Sequence, residues 1–275
     1  MNNDDFKAVI DGVTLRLSRP DELDMKWVGQ EEAMEQMLAS WADMGPNDPP
    51  LNPRLVGKPG VGKTTLAYAA ASILKRDVYL VQGTMDTRPE DLLISPVVGA
   101  DNKIEYAASP LVTAMIKGGA AVLDEGNRMS EKSWASLAPL LDSRRYVESV
   151  VAGIKIKAHP KFLFCATMND DSSTYELPEY IHSRLQPQIC VDFPERDEEL
   201  AILRSNLPGF NEVLLKYTVD FLQTAHREDE NYTVRDGLTA ARFAARLMRM
   251  KGMDEREALE KAVTSILGED AAGYV

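Results

Sequence analysis

Cysteine and histidine are scarce in this chain of 275 residues: two cysteines, Cys165 and Cys190, and three histidines, His159, His182 and His226. No Cys-x-x-Cys or Cys/His ligand spacing occurs, which leaves no basis for a zinc site or a disulfide framework. Both cysteines are expected as reduced core residues. Long apolar runs are also missing, and the opening Met1-Asn2-Asn3-Asp4-Asp5 is the reverse of a basic, apolar export signal, so membrane insertion is not expected and a cytoplasmic location is. Cationic excess is lacking too. With 31 Lys and Arg against 43 Asp and Glu, the formal charge is -12, which disfavours non-specific binding to nucleic acid as the main task.

What is present is ordinary globular material, 44% hydrophobic and 27% charged, long enough for a large core. Val13 to Leu17 alternates as a short outer strand, and apolar positions Ala33, Met34, Met37, Leu38 and Trp41 predict a helix over about 30–44. From Leu55 to about Val191, short apolar strands (55–56, 78–81, 120–123, 162–166, 188–191) alternate with helical stretches. That pattern predicts a parallel α/β sheet between helices. After Pro194 the strands stop, and helices are expected over 198–203, 212–225, 235–250 and 255–267.

Three segments carry chemistry. Gly57-Lys58-Pro59-Gly60-Val61-Gly62-Lys63-Thr64, followed by Thr65, fits the phosphate-loop spacing and lies between a strand and a helix. Its glycines let backbone N–H groups turn inward, Lys63 is placed for the β- and γ-phosphates, and the Thr64 hydroxyl for Mg²⁺. A chance match is on the order of 1 in 100 before context is counted. Asp124-Glu125 ends an apolar strand, the edge where open α/β sheets bind ligands. Asp124 is then a Mg²⁺ ligand and Glu125 the group that directs water, although such a pair alone is more often a solvated turn. Asn169 ends another apolar strand and could polarise the same water or form a turn.

Together these segments resemble the AAA+ superfamily and, within it, the MoxR-like group. Asp124-Glu125-Gly126-Asn127-Arg128 is similar to that group's extended acidic motif, with Gly126 where an apolar residue is usual. Val28-Gly29-Gln30 resembles the segment that reaches the nucleotide near its base. Ser109-Pro110-Leu111 resembles the lead into the acidic strand. Leu141-Asp142-Ser143-Arg144-Arg145 is similar to the CbbQ and NorQ type, activators that work with a von Willebrand factor A domain protein. The resemblance covers about residues 25 to 267.

It implies a P-loop NTPase core of the AAA+ kind over 25–197, after an extension over 1–24, and a small all-helical lid over 198–275. It also implies ATP and Mg²⁺ as cofactors, a hexameric homo-oligomer and a protein substrate remodelled together with the von Willebrand partner. Arg184, in Ser183-Arg184-Leu185, matches the arginine that reaches a neighbouring subunit's nucleotide; a surface pairing with Glu179 or Glu176 is the alternative. Arg235 matches the second sensor of the lid, with Arg242, two turns later, as the alternative. Residues 99–108 and 146–157 match two hairpins, with Ile104 and Tyr106 as candidate partner contacts or simply surface residues. A nucleic-acid motor of helicase or restriction type is the competing function, and an ATP-gated scaffold is a third that the intact Glu125 disfavours.

Overall fold

The computed structural model describes residues 6–23, 26–45, 48–99, 102–170 and 177–275. Asp101 of the first expected hairpin and Glu176, an alternative partner for Arg184, lie outside them. The chain divides into two compact units: residues 1–23, 32–57 and 63–190 form the first, and residues 24–31, 58–62 and 191–275 the second.

The first unit is built on a five-stranded sheet. In chain order its strands are β3 (Arg54–Gly57), β4 (Val78–Gln82), β7 (Ala120–Asp124), β10 (Leu163–Asn169) and β11 (Gln188–Cys190), after β1 (Lys7–Ile10) and β2 (Val13–Arg16) and with β5 (Ile94–Val98), β6 (Ile104–Ala108), β8 (Tyr146–Ser149) and β9 (Ile154–Lys157) between them. The spatial order is β11-β3-β10-β7-β4, and every pairing is parallel. Every residue of β10 is buried, and β7 is buried up to Asp124, as required of strands covered on both faces. Among the helices α1 (Glu31–Ser40), α2 (Lys63–Ile73), α3 (Pro89–Leu92), α4 (Pro110–Lys117), α5 (Glu131–Leu137) and α6 (Glu179–His182), α2 packs on β3, β10 and β7, and α4 on β4 and β7. The start of α4 is fixed by Ser109, whose hydroxyl accepts from Val112 N, with Pro110 in the first turn; its end is fixed by Gly118 at φ 72°.

Three expectations need correction. The helix expected to reach residue 44 stops at Ser40, because the Ser40 carbonyl takes Leu51 N (2.9 Å) in place of the next helical donor, while the Trp41 indole donates to Phe164 O (3.1 Å). The hairpin expected over 99–108 starts earlier, at Ile94, and is joined to a larger sheet: β5 and β6 pair antiparallel, and β6 pairs in parallel with β2, Leu15 opposite Tyr106, to give the order β1-β2-β6-β5. Tyr106 is thereby half-buried against the core, whereas Ile104 remains 71% exposed. Cys190 is exposed rather than core, since β11 is an edge strand that buries only Ile189; Cys165 is buried, and both thiols are free.

The second unit contains α7 (Arg196–Asn206), α8 (Glu212–Arg227), α9 (Val234–Lys251) and α10 (Glu255–Leu267). The expected all-helical C-terminal region is observed. Leu214, Phe221, Leu222, Ala240, Ala244, Leu259 and Val263 form one core of this bundle, and Leu200, Leu203, Leu215, Val219 and Leu238 another. A reciprocal capping box of Thr233 and Asp236 starts α9.

Candidate active site

Parallel pairing puts the ends of β3, β10 and β7 side by side: Asn169 is opposite Gly57, and Ala166 is opposite Leu123. The end of β3 and the polar residues ending β7 and β10 therefore lie together at one carboxyl edge of the sheet, the edge where open α/β sheets bind ligands.

Within the first unit, Lys63 is 6% exposed and its ammonium donates to Gly57 O at 2.8 Å. Thr64 donates its hydroxyl to Asp124 Oδ1 at 2.8 Å. Asp124 Oδ1 also accepts from the Thr167 hydroxyl, which in turn accepts from Glu125 N at 3.0 Å. The hydroxyl and carboxylate that the sequence nominates for Mg²⁺ are thus adjacent, and both are hard oxygen donors of the kind that cation takes. Among the described residues no group of three or more His, Cys, Asp or Glu forms a separate metal cage. A cation that shares its shell with phosphate oxygens fits this donor set better than one held by protein alone.

Glu125 sits at φ 54°, left-handed for a non-glycine residue, a conformation that costs about 1 kcal/mol or more and is held by its surroundings. Its Oε1 accepts from Asn169 Nδ2 at 3.1 Å, and its Oε2 from Gln82 Nε2 at 3.0 Å, with Arg128 Nε 3.1 Å from Oε2. Asn169 is itself fixed: its carbonyl accepts from Asn127 Nδ2 at 2.8 Å, and both asparagines are buried. Gly126 is explained by a close approach. A Cβ there would lie 2.9 Å from Trp134 Cζ2, and the Trp134 indole N–H donates to Gly126 O at 3.1 Å. The indole occupies the space an apolar side chain at 126 would fill.

Residues 58–62 of the loop, with 24–31, cluster with the second unit. Gly60 and Gly62 have φ of 82° and 99°, and a Cβ on them would meet Thr233 Oγ1 at 2.8 Å and Trp27 Cζ3 at 3.1 Å. Pro59 is exposed, Val61 is buried, and the Lys58 ammonium lies 5.0 Å from the centre of the Phe193 ring. Phe193 stacks on His226 at 3.8 Å, and burial pushes the His226 pKa down. Val28 and Gly29 are half-buried, and the next residue, Gln30, donates its N–H to Glu198 Oε1 (2.7 Å) and its amide to Asp192 O (2.9 Å). Arg235 is the second residue of α9, exposed, two residues after the Thr233 cap.

Arg184 lies in the first unit and is not paired with Glu179. Its Nε is 3.5 Å from Asp142 Oδ2, and its Nη1 donates to Tyr180 O. Asp142 is shared with Arg144, whose hydrogen bonds hold that carboxyl at about 2. Sequence reading missed Gln82, Asn127 and Arg128 as partners of the acid and the asparagine. It also missed Arg54, 4% exposed, whose guanidinium donates to Gln188 Oε1, Leu185 O and His182 O beside the Arg184 segment.

Residues 54–185 match the family described as AAA domain (dynein-related subfamily). Among named relatives, the gas vesicle ATPase GvpN of Ancylobacter aquaticus is 26% identical over 219 residues, which covers 72% of this chain and 60% of that protein. An uncharacterised protein of Staphylococcus epidermidis is 27% identical over 172 residues, covering 61% of this chain and 65% of that one. The chain thus spans less than two thirds of the length of these relatives. Among solved structures, the Thermotoga maritima RuvB Holliday junction branch migration motor superposes with a TM-score of 0.59 at 16% identity, over 86% of this chain and 70% of that one. A Cytophaga hutchinsonii structure reaches 0.54 at 18% identity, over 87% and 81%. At such identities the likeness establishes the fold alone, an α/β core on a parallel sheet with a helical C-terminal region. No helix among the described residues is long and apolar enough to cross a membrane.

Proposed function

We propose that the chain, whose residues 54–185 match an AAA domain, hydrolyses ATP and works as a Mg²⁺-dependent homo-oligomeric motor that remodels a partner. The observation that carries this reading is the convergence of Lys63, Thr64, Asp124, Glu125, Thr167 and Asn169 at one edge of the sheet. Lys63 exchanges the Gly57 carbonyl for the β- and γ-phosphates. Thr64 and Asp124 would hold Mg²⁺, whose charge would offset that of the phosphate oxygens. Glu125, steadied by Asn169 through Oε1, orients the attacking water and accepts its proton. Arg184 completes the site of an adjoining subunit, and Arg235 ties the helical region to the state of the γ-phosphate.

For the target, a protein partner is the first reading, in the MoxR-like manner with a von Willebrand factor A domain protein. The -12 charge supports it, as does a named relative that is an ATPase of gas vesicles. A nucleic-acid motor is the second reading, and the Holliday junction motor among the solved likenesses favours it. One experiment separates them: affinity capture from the native cell with Glu125→Gln, ATP and Mg²⁺ present. A von Willebrand domain protein recovered with one enzyme supports the first reading. Nucleic acid with its processing proteins, and ATPase stimulation by DNA alone, replaces it with the second.

A further inference from the structure

The outer face of α9 is unlike the rest of this acidic chain. Arg235, Arg242, Arg246 and Arg249 are all exposed, and their spacing of seven, four and three residues sets them along one face. At 1.5 Å per residue the ridge is about 21 Å long. Among the described residues none of the four makes an ion pair, whereas two other exposed arginines of the same unit do: Arg196 with Asp220 at 2.7 Å, and Arg204 with Glu212. The helix dipole accounts for Arg249 and Lys251 in the last turn. It does not account for Arg242 and Arg246, in mid-helix.

These two line a notch of about 330 Å³ between α9 and α10, together with Thr239, Phe243, Ser265 and Ile266. Both hydroxyls are turned back onto their own helices, Thr239 to Arg235 O (2.9 Å) and Ser265 to Lys261 O (2.7 Å). Anion recognition therefore falls to the two guanidinium groups, over an apolar floor supplied by Phe243 and Ile266. A paired, planar donor set over apolar carbon suits a carboxylate carried on a protein surface.

We propose that this ridge is a subunit interface, with a second copy of the chain as its occupant and acidic side chains of that copy seated on Arg242 and Arg246. Charge complementarity selects the occupant. Helix α9 carries five cations and one acid, Asp236, so it contributes +4 to a chain of -12, and the remainder carries -16. Two copies repel through that remainder unless a cationic surface such as this ridge is set against it. The inference rests on the homo-oligomer reading given above.

The test measures assembly by light scattering against subunit concentration, with ATP and Mg²⁺, for the wild type, Arg242→Glu/Arg246→Glu and the milder Arg242→Gln/Arg246→Gln. The expected result is assembly of the wild type that weakens with salt, a midpoint concentration raised at least about tenfold by the glutamates and less by the glutamines, and affinity for a fluorescent ATP analogue unchanged in all three. If the wild type assembles and both variants do so at the same midpoint, the interface is wrong while the oligomer stands. If the wild type stays monomeric at every concentration, the oligomer reading fails and this inference falls with it.

Discussion

Glu125 and Glu199 are each held by a glutamine, Gln82 and Gln223, at the same distance of 3.0 Å. Around Glu125 the other oxygen is taken by Asn169, Arg128 adds a cation, and the side chain is 31% exposed. Around Glu199, in α7, exposure is 0%, Oε1 has no hydrogen-bond partner among the described residues, and burial pushes the carboxyl up to about 7. A carboxylate at a sheet edge meets donors and water on both oxygens. A carboxylate inside a helical bundle loses the charge, or destabilises the bundle by keeping it. The first arrangement suits the water-directing role proposed for Glu125; the second makes the fold of the helical unit sensitive to pH.

Substitution of the two acids should move different observables. Glu125→Gln should lower kcat by about 10²- to 10⁴-fold with ATP binding and folding retained, as single-turnover assays and urea melts would show. A loss of tenfold or less would mean that another group directs the water. Glu199→Gln should leave turnover unchanged and act on stability. The folded-state value of Glu199 lies above its ordinary 4.5, so the stability it contributes is full below about 4.5 and is lost as pH rises through about 7. The loss is on the order of 3 kcal/mol by pH 8. Urea denaturation of the wild type across that window should show the decline, and the glutamine variant should be nearly flat; parallel curves would remove Glu199 as the cause.

Smaller effects refine the sheet-edge half of the comparison. Asn127→Ala frees the Asn169 carbonyl and should cost roughly tenfold in kcat with about 1 kcal/mol of stability, because Asn169 loses the partner that aims it. An unchanged kcat would show that strand β10 alone positions Asn169. Smallest is Arg128→Ala. The Arg128–Glu125 pair is partly exposed, worth under about 1 kcal/mol, and its removal should raise basal kcat by about two- to threefold by leaving Oε2 freer. A fall in kcat at saturating ATP would instead make Arg128 a support for the acid.

The parts legible in the sequence share one property: their signal is local. The loop of residues 57–64 is recognised from eight consecutive residues, and strands β7 and β10 from apolar runs ending in a polar residue. The bundle followed from helical periodicity. What escaped depends on distant segments meeting. Gln82 reaches Glu125 across 43 residues and Asn127 reaches Asn169 across 42, and no period encodes those pairings. The β2–β6 pairing joins strands some ninety residues apart and makes the expected hairpin half of a four-stranded sheet. Cys190 was misplaced because an apolar run does not say whether its strand lies in the middle of a sheet or at the rim.

The contact between Trp134 and Gly126 also gives the molecule an optical gauge. This indole is 1% exposed, and its N–H is bonded to the residue that directly follows Glu125. Its near-ultraviolet emission is therefore shielded from solvent quenchers and tuned by the carbonyl dipole of Gly126 beside the acid. The other two tryptophans, Trp27 and Trp41, can be replaced by phenylalanine to leave a single emitter. Each change of state at the strand end would then be recorded as a spectral displacement, in real time and without a label.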